Sequence, residues 1–239
     1  MNPPQRRLPF IPPGAPAGLF PPLSWAFDDP NGLLAAGGDL STARLLAAYR
    51  SAIFPWFSDG EPVLWWSPDP RTVLIPSQLR VARSFRKRLG QQRYQVTVDR
   101  AFDDVIRQCA APRARQPGTW ITRDMREAYG ALHQQGHAHS IECWRDQELV
   151  GGLYGLGVGR VFCGESMFSR APDASKFALW HLCQLGFDLI DGQVENPFLE
   201  QMGFRSIPRS EYVDLLERMR DLPGPDLQGV RWPPPQVQP

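Results

Sequence analysis

Two polar residues stand in an apolar segment of the C-terminal half of the chain. Asp191 and Gln193 are two apart in "LIDGQ", which is predicted to be a buried strand. Side chains two apart on a strand share a face, so both are expected on the face of Leu189 and opposite Ile190. A carboxylate beside an amide can attract a cation, orient it and take its proton. A polar strand end is the structural alternative.

A third polar candidate, Glu165, lies in the stretch "GRVFCGESMFSR", Gly159–Arg170. This stretch also reads as buried strand, where a charge costs free energy unless something pairs with it. The residue types leave two interpretations open. Glu165 either belongs to a functional site or forms a buried ion pair with a residue such as Arg170 or Lys176.

Three histidines and one cysteine suggest other chemistries that the sequence disfavours. His133, His137 and His139 cross a helix end, a turn and a strand start, and no Cys or acid completes them at a spacing usual for a metal site. Cys163, with a His and Asp191, could act as a thiol nucleophile, but no predicted helix start lies beside it to lower its pKa. We therefore expect neither a metal centre nor a thiol intermediate.

Hydrophobic periodicity predicts the elements that position these groups. Three antiparallel strands are expected at 139–145, 148–157 and 160–166, followed by a helix at 175–186 and the strand at 187–194 that carries Asp191. A short helix, a short strand and a last helix close the unit. This order is typical of an N-acyltransferase-like α/β core with a mixed, largely antiparallel sheet.

A strongly basic helix is predicted at 77–90, with Val81, Phe85 and Leu89 as its apolar stripe. Its cations are Arg80, Arg83, Arg86, Lys87 and Arg88. The segment from Arg71 to Arg115 has eleven Lys/Arg against three acids, a local balance of +8, whereas the whole chain carries +1. Such a block indicates either a polyanionic partner or a solvated helix face.

Changes in composition divide the chain of 239 residues into four parts. Residues 1–22 form a Pro-rich arm and residues 226–239 a Pro-rich tail, and both are expected to be loose. Between them lie a small N-terminal domain at 23–70 and a larger α/β domain at 71–225. In the small domain Ser41 is the predicted N-cap of a helix.

Composition also excludes several classes of protein. No apolar run approaches the roughly 18 residues of a membrane span, and prolines interrupt the N-terminal stretch that a signal peptide would occupy. The four cysteines are 20 to 34 residues apart and never form CxxC, which indicates reduced thiols and a cytoplasmic location.

The acyltransferase-like order raises the hypothesis of acetyl transfer from acetyl-CoA. Such enzymes hold the CoA pyrophosphate on a glycine-bearing loop that opens a helix. Here that connection, "SMFSRAPDASKFAL", has no glycine between Gly164 and Gly186. Because every residue carries a Cβ, backbone amides cannot approach phosphates as closely, so CoA binding is not expected.

The chain resembles the leucyl/phenylalanyl-tRNA–protein transferase family. The resemblance rests on long motifs that span roughly Phe20 to Leu216 in the order of the family. These are "PNGLLAAGGDLSTARLLAAYRSAIFPWFSDGEPVLWWSPDPR", "GTWIT", "LHQQGHAHSIECWRDQELVGGLYG", "VFCGESMFSR", "ASK", "LIDGQVEN" and "IPRSEY". It implies a small N-terminal domain on an acyltransferase-like (GNAT-like) domain that has lost CoA binding.

The resemblance also implies an activity, the transfer of Leu, and also of Phe, from aminoacyl-tRNA to proteins that begin with Arg or Lys. Whether Met is a further donor stays open. The product is marked for degradation by the N-end rule. It implies no cofactor, no metal, no membrane and no CoA, and we expect a monomer in the cytoplasm. A non-enzymatic RNA-binding module would explain the basic helix but not the polar set of Glu165, Asp191 and Gln193.

The resemblance assigns residues of this chain to three parts of a site. Glu165, Asp191 and Gln193 are placed at the reaction centre. We predict that Asp191 orients the acceptor ammonium, that Gln193 relays the proton or fixes the ester, and that Glu165 holds the basic end of the acceptor or the ribose. Which of Asp191 and Gln193 handles the proton stays open.

The other implied residues bind the aminoacyl-tRNA. Met167, Leu179 and Leu153 would line an apolar pocket for the donor side chain, and core packing is the alternative for each. Trp56 and Trp120 would stack on or frame the terminal adenosine, with Tyr49 assisting. Trp65 and Trp66 are predicted to be core residues. The basic helix would contact acceptor-stem phosphates without reading sequence.

Overall fold

The structure is a computed structural model that describes residues 7–91, 93–111, 119–227 and 229–232. Within these ranges the chain forms two sheets and seven α-helices, an α/β fold. Across the same residues, every helix is too short or too polar to cross a membrane.

The first sheet belongs to the N-terminal part of the chain. Its strands are β1 (Phe10–Ile11), β2 (Leu33–Gly37), β3 (Phe54–Pro55) and β4 (Leu64–Trp66), in the order β1-β2-β4-β3. Helix α1 (Thr42–Tyr49) follows β2. The side chain of Ser41 accepts a hydrogen bond from the Arg44 backbone N–H, so the predicted N-cap is confirmed.

The second sheet has eight strands and carries the candidate site. The strands are β5 (Arg71–Leu74), β6 (Gln95–Val98), β7 (Ala138–Arg145), β8 (Glu148–Val158), β9 (Val161–Ser169), β10 (Leu189–Gln193), β11 (Arg205–Ile207) and β12 (Arg231–Trp232). Their order is β11-β5-β10-β9-β8-β7-β6-β12. All pairings are antiparallel except β9 with β10. The predicted meander and the largely antiparallel sheet are confirmed.

Helices cover both faces of this sheet. They are α2 (Arg83–Gly90), α3 (Phe102–Ala110), α4 (Arg123–Gln134), α5 (Ala174–Leu182), α6 (Pro197–Met202) and α7 (Arg209–Met219). Helices α1, α3, α4 and α7 contribute to one hydrophobic cluster, which we call the first core, and α2, α5 and α6 to another, the second core. Leu189 lies in the first core and Ile190 in the second, which confirms the predicted alternation.

Residues 7–22 and 231–232 are more ordered than predicted. Strand β1 pairs in parallel with β2, and the buried Arg44 guanidinium donates to the carbonyl oxygens of Ala15 (2.7 Å) and Pro16 (3.3 Å). A Cβ at Gly37 would lie 2.5 Å from the Ile11 oxygen, so the close approach of β1 requires glycine there. The prediction of a loose arm is therefore wrong for residues 7–22. The prediction of a loose tail is wrong for β12, which pairs with β6.

The basic helix is shorter than predicted. Residues Pro76–Gln78 form a separate 3-10 turn and α2 begins only at Arg83, so Arg80 lies before the helix. Leu79 after the turn and Ala82 before α2 have ψ values of 123° and 148°, which are not helical, so the backbone between them separates the turn from the helix.

Candidate active site

A β-bulge places Glu165. In the pairing of β8 with β9, Tyr154 faces Ser166 and Gly155 faces Gly164, so Glu165 is the extra residue. A bulge changes which way the following side chains point. Cys163 accordingly packs in the first core and Met167 against the second, although two residues four apart on a regular strand would share a face. The glycines at 155 and 164 were the available sequence signal.

Glu165 accepts three hydrogen bonds from neutral side chains. The Tyr49 hydroxyl donates to Oε1 (2.6 Å), the Tyr129 hydroxyl to Oε2 (3.0 Å), and the Gln193 amide to Oε1 (2.8 Å). The alternative of a buried ion pair with Arg170 or Lys176 is wrong, since these three partners are neutral and Lys176 pairs with Asp173 at 3.3 Å. Tyr49 was predicted to assist in binding the adenosine, and in the structure its hydroxyl donates to Glu165.

The surroundings of Glu165 change its protonation. Burial raises the pKa of Glu165 to about 7, although the hydrogen bonds from Tyr49, Tyr129 and Gln193 lower it. The Tyr49 and Tyr129 hydroxyls also contact each other, so three oxygen contacts form a ring. The two hydroxyls supply only two protons for these three contacts. A protonated Glu165 supplies the third, so that each of the three contacts can be a hydrogen bond. Glu165 is thus suited to take up and release a proton near neutral pH.

Asp191 is fully buried and already paired. Arg71 donates from Nε to Oδ1 (2.8 Å) and from Nη2 to Oδ2 (2.7 Å). The Tyr212 hydroxyl donates to Oδ2 (2.8 Å) and the Gln193 backbone N–H to Oδ1 (2.9 Å). Burial is the largest single effect on the Arg71 pKa and lowers it, but the charge of Asp191, the nearby Tyr212 and the hydrogen bonds to Asp191 together outweigh burial, so the net shift is upward.

These contacts bear on the role predicted for Asp191, because all of its hydrogen bonds are made within the protein. An acceptor ammonium cannot reach either oxygen without displacing a donor, because a guanidinium already occupies the position predicted for it. No local sequence pattern could indicate this partner, because Arg71 lies 120 residues from Asp191. The side chain of Gln193, in contrast, is partly exposed to solvent. Gln193 follows a register shift in β10 and has a φ of +62°, and its side-chain amide donates to Glu165.

The sheet opens beside these residues. Strands β9 and β10 pair only from Leu189↔Val161 to Asp191↔Cys163, and β9 residues 164–167 are partly exposed where the pairing stops. We call the space between 164–169 of β9 and 192–193 of β10 the strand gap. The hydrogen bond from Gln193 to Glu165 spans it.

The predicted donor-pocket residues lie together on the other side of the sheet. Leu153 and Met167 are register partners, and Leu179 lies on α5. Leu153 and Leu179 are buried in the second core, while Met167 is only partly buried against it. Tyr49 and Tyr129, which donate to Glu165, belong instead to the first core.

The tryptophans differ in exposure. Trp56 is 43% exposed, its ring lies 5.5 Å from that of Trp66, and Trp66 Nε1 donates to its carbonyl oxygen. Trp120 precedes α4 and packs partly buried against the first core. Trp65 is fully buried, which confirms the prediction for that residue, whereas Trp66 is only partly buried.

The basic cluster lies on the face of the second core. Phe85 anchors α2 there, 5.3 Å from Phe177 of α5. Arg88 forms an ion pair with Asp173 at 2.9 Å. The exposed members are Arg80, Arg83, Arg86 and Lys87.

The described part of the chain gives no support for a metal site or for Cys163 as a nucleophile. There, no group of three or more His, Cys, Asp or Glu could hold a metal ion. His133 contacts the Ala138 carbonyl oxygen and His139 contacts Asp99, each through Nδ1. Burial raises the pKa of Cys163 well above its ordinary value, so its thiol stays protonated.

The fold and the site define an α/β protein with a carboxyl of raised pKa hydrogen-bonded to an amide where the pairing of two strands stops. Residues 73–217 match the model of the family described as leucyl/phenylalanyl-tRNA protein transferase, and residues 38–69 match the N-terminal domain of the same family. The chain therefore belongs to the leucyl/phenylalanyl-tRNA protein transferase family.

Relatives of the same name cover most of the chain. The leucyl/phenylalanyl-tRNA–protein transferase of Ectopseudomonas mendocina is 59% identical over 85% of this chain and 92% of its own. The enzyme of Shewanella piezotolerans is 56% identical over 84% of this chain and 87% of its own. That of Nitrosomonas europaea is 55% identical over 89% of this chain and 91% of its own. Among solved structures, that of L-PGS from Bacillus licheniformis is 12% identical with a TM-score of 0.38, and the match covers 68% of this chain and 53% of that one.

Proposed function

We propose that this chain transfers leucine or phenylalanine from aminoacyl-tRNA to the N-terminal amine of proteins that begin with Arg or Lys. The observation that carries the proposal is the family match over both units of the chain, at 38–69 and 73–217. The new peptide bond marks the acceptor for N-end-rule degradation. We place the protein in the cytoplasm as a monomer, without a cofactor, with Met as a donor left open.

The reaction needs little beyond positioning and one proton acceptor. The aminoacyl ester is already activated, and an unperturbed α-amine has a pKa of about 7.7–8. The amine nitrogen bonds to the ester carbonyl carbon and the bond to the ribose oxygen breaks. An ammonium loses two protons in the process, one to that oxygen and one to an acceptor. Holding both substrates in place supplies much of the acceleration.

We assign the proton acceptor to Glu165. It is partly exposed in the strand gap, and its raised pKa of about 7 lies close to that of the amine. Matched pKa values favour general base catalysis. Gln193 donates to Glu165 and can hold the ester or the amine beside it, while Asp191 contributes through Gln193.

Other predicted residues take places around this centre. The donor side chain would pass the strand gap toward Met167, with Leu153 and Leu179 behind it. The exposed ring of Trp56 offers a stacking surface for the adenosine, and Trp120 would frame it. The order of meander, α5, β10, α6 and β11 supports a GNAT-like assignment for the larger domain.

Removal of two cations from α2 tests the tRNA surface. The double substitution Arg83→Ala and Lys87→Ala is expected to weaken binding of every tRNA alike and to flatten the log–log salt slope by about one to two units. Filter binding at several salt concentrations measures both effects. The matched control is Arg126→Ala with Arg218→Ala, two exposed cations on helices of the opposite face. Equal slopes in both double variants contradict this placement.

Acetyl-CoA is expected neither to bind nor to react. Besides lacking glycine, the connection from β9 to α5 ends at Asp173, the N-cap residue of α5, and an acidic residue there disfavours a phosphate at the helix N-terminus. Titration calorimetry with acetyl-CoA should therefore show no binding heat, and micromolar affinity would overturn this expectation.

The proposal is tested by incubating the protein with labelled Leu-tRNA and a peptide that begins with Arg. Label is expected in the peptide. The same peptide acetylated at its N-terminus is the control and should stay unlabelled. Absence of transfer to the free peptide from both Leu-tRNA and Phe-tRNA would refute the proposed function.

A further inference from the structure

We infer that Arg71 and Tyr212 are positioning residues, which act through Asp191 to hold Gln193 against Glu165 in the strand gap. The inference rests on the proposed function and deepens it. It concerns how the protein keeps the amide of Gln193 in one orientation while substrates enter and leave.

The geometry of Arg71 requires arginine in particular. Two nitrogens of one planar guanidinium meet two oxygens of Asp191, at 2.8 and 2.7 Å. Lysine carries the same charge but has a single nitrogen, which cannot make this two-point contact.

Arg71 is itself held on every side. Its guanidinium lies 4.8 Å from the ring centre of Phe54 and 4.7 Å from that of Tyr212, and Nη1 donates to the Ala52 oxygen at 3.2 Å. It is 1% exposed. These contacts come from β3, from α7 and from the turn that follows α1, so both parts of the chain fix the position of Asp191.

Asp191 transmits this position to Gln193. One of its oxygens accepts the Gln193 backbone N–H at 2.9 Å, at the register shift where Gln193 adopts a φ of +62°. A residue other than glycine rarely adopts this conformation, so it persists only where its surroundings impose it. The conformation directs the Gln193 side chain to Glu165, 2.8 Å away.

The alternative is that Asp191 takes the proton itself. Protonation would cost it the charge that holds Arg71, in a place fully closed to solvent. Gln193 and Glu165, in contrast, are both partly exposed. The structure therefore favours a positioning role.

A double-mutant cycle separates the two roles. We expect Asp191→Asn to lower kcat about tenfold or more in the wild-type background, but less than about twofold in a Gln193→Ala background, because its effect passes through Gln193. The KM for charged tRNA should stay within about twofold. The fall of kcat at low pH should persist in Asp191→Asn, since the titrating group is elsewhere.

Milder variants keep the test valid if Asp191→Asn does not fold. Tyr212→Phe removes one donor to Asp191 but keeps the ring beside Arg71, and it is expected to lower kcat severalfold without changing the pH profile. Arg71→Lys should lower kcat about tenfold or more at unchanged KM. The matched control is Arg44→Lys, an equally buried arginine that binds carbonyl oxygens outside the site, and it should leave kcat unchanged.

The outcomes distinguish the inference from the function on which it rests. If the wild type transfers leucine but the losses from Asp191→Asn and Gln193→Ala are independent, the inference is wrong and the function stands. Loss of the low-pH limb in Asp191→Asn, or wild-type kcat in both Tyr212→Phe and Arg71→Lys, also overturns it. If the wild type transfers no amino acid, the proposed function itself fails.

Discussion

Glu165→Gln is expected to lower kcat by about a hundredfold or more while aminoacyl-tRNA binding stays nearly intact. Glutamine keeps the shape of the side chain and can still meet Tyr49, Tyr129 and Gln193. It cannot take a proton from the acceptor amine. Single-turnover transfer from charged tRNA, measured beside tRNA binding, gives both quantities. Glu148→Gln, on an exposed acid at the β7–β8 turn, is the control and should behave as wild type.

The pH dependence of kcat is a second test of the role of Glu165, with the same variant. Because burial raises the Glu165 pKa to about 7, wild-type kcat should rise with pH through this value as the carboxylate forms. Glu165→Gln should lose that limb. A variant that transfers leucine at the wild-type rate at pH 7 would exclude Glu165 as the proton acceptor.

Stability should respond to pH in the opposite direction. The folded pKa of Glu165 lies above its usual 4.5, so between pH 4.5 and about 7 the folded state binds more protons than the unfolded state. This contribution to the free energy of unfolding is complete below pH 4.5 and disappears as pH rises through 7. The decline across this window should be smaller in Glu165→Gln, as denaturant unfolding at several pH values would show.

Arg71→Ala is expected to have the largest effect on stability, a loss of about 3–5 kcal/mol. It leaves the Asp191 charge buried without a cation, which costs more than the pair contributes when intact. Replacing both partners with apolar residues, Arg71→Met with Asp191→Leu, should cost less than Arg71→Ala alone. Urea unfolding followed by circular dichroism measures each variant.

An exposed ion pair of the same form provides the control. Arg160 also contacts both oxygens of its partner, Asp188, at 3.0 Å each, but both side chains are substantially exposed. Arg160→Ala should cost less than about 1 kcal/mol, because water screens the pair. Equal losses at Arg71 and Arg160 would contradict the account of Asp191 as a buried, paired charge.

Local pattern predicted much of the fold. The meander β7–β9 followed from apolar alternation and from turn residues at Asp146-Gln147, and the cap at Ser41 followed from residue type alone. Residues 7–22 were mispredicted because proline content indicates irregular backbone but not whether other groups hold it, as Arg44 does at residues 15–16.

The candidate site was predictable in its members but not in its connections. Glu165 and Gln193 were named from apolar surroundings and from the family resemblance, yet the bulge that turns Glu165 toward Tyr49 and Tyr129 depends on pairing with β8. The pair of Arg71 and Asp191 joins residues 120 positions apart, so no local spacing could reveal it. The positioning role that we propose for Asp191 depends on this long-range partner.

The central claim is formation of a peptide bond on an N-terminal α-amine, and fragmentation mass spectrometry of the product tests it most directly. A peptide that begins with Lys offers both an α-amine and an ε-amine. Incubation with Leu-tRNA or Phe-tRNA is expected to add one residue of that amino acid, found only on the α-amine. Addition at the ε-amine, or an unmodified peptide after incubation with both charged tRNAs, would contradict the account.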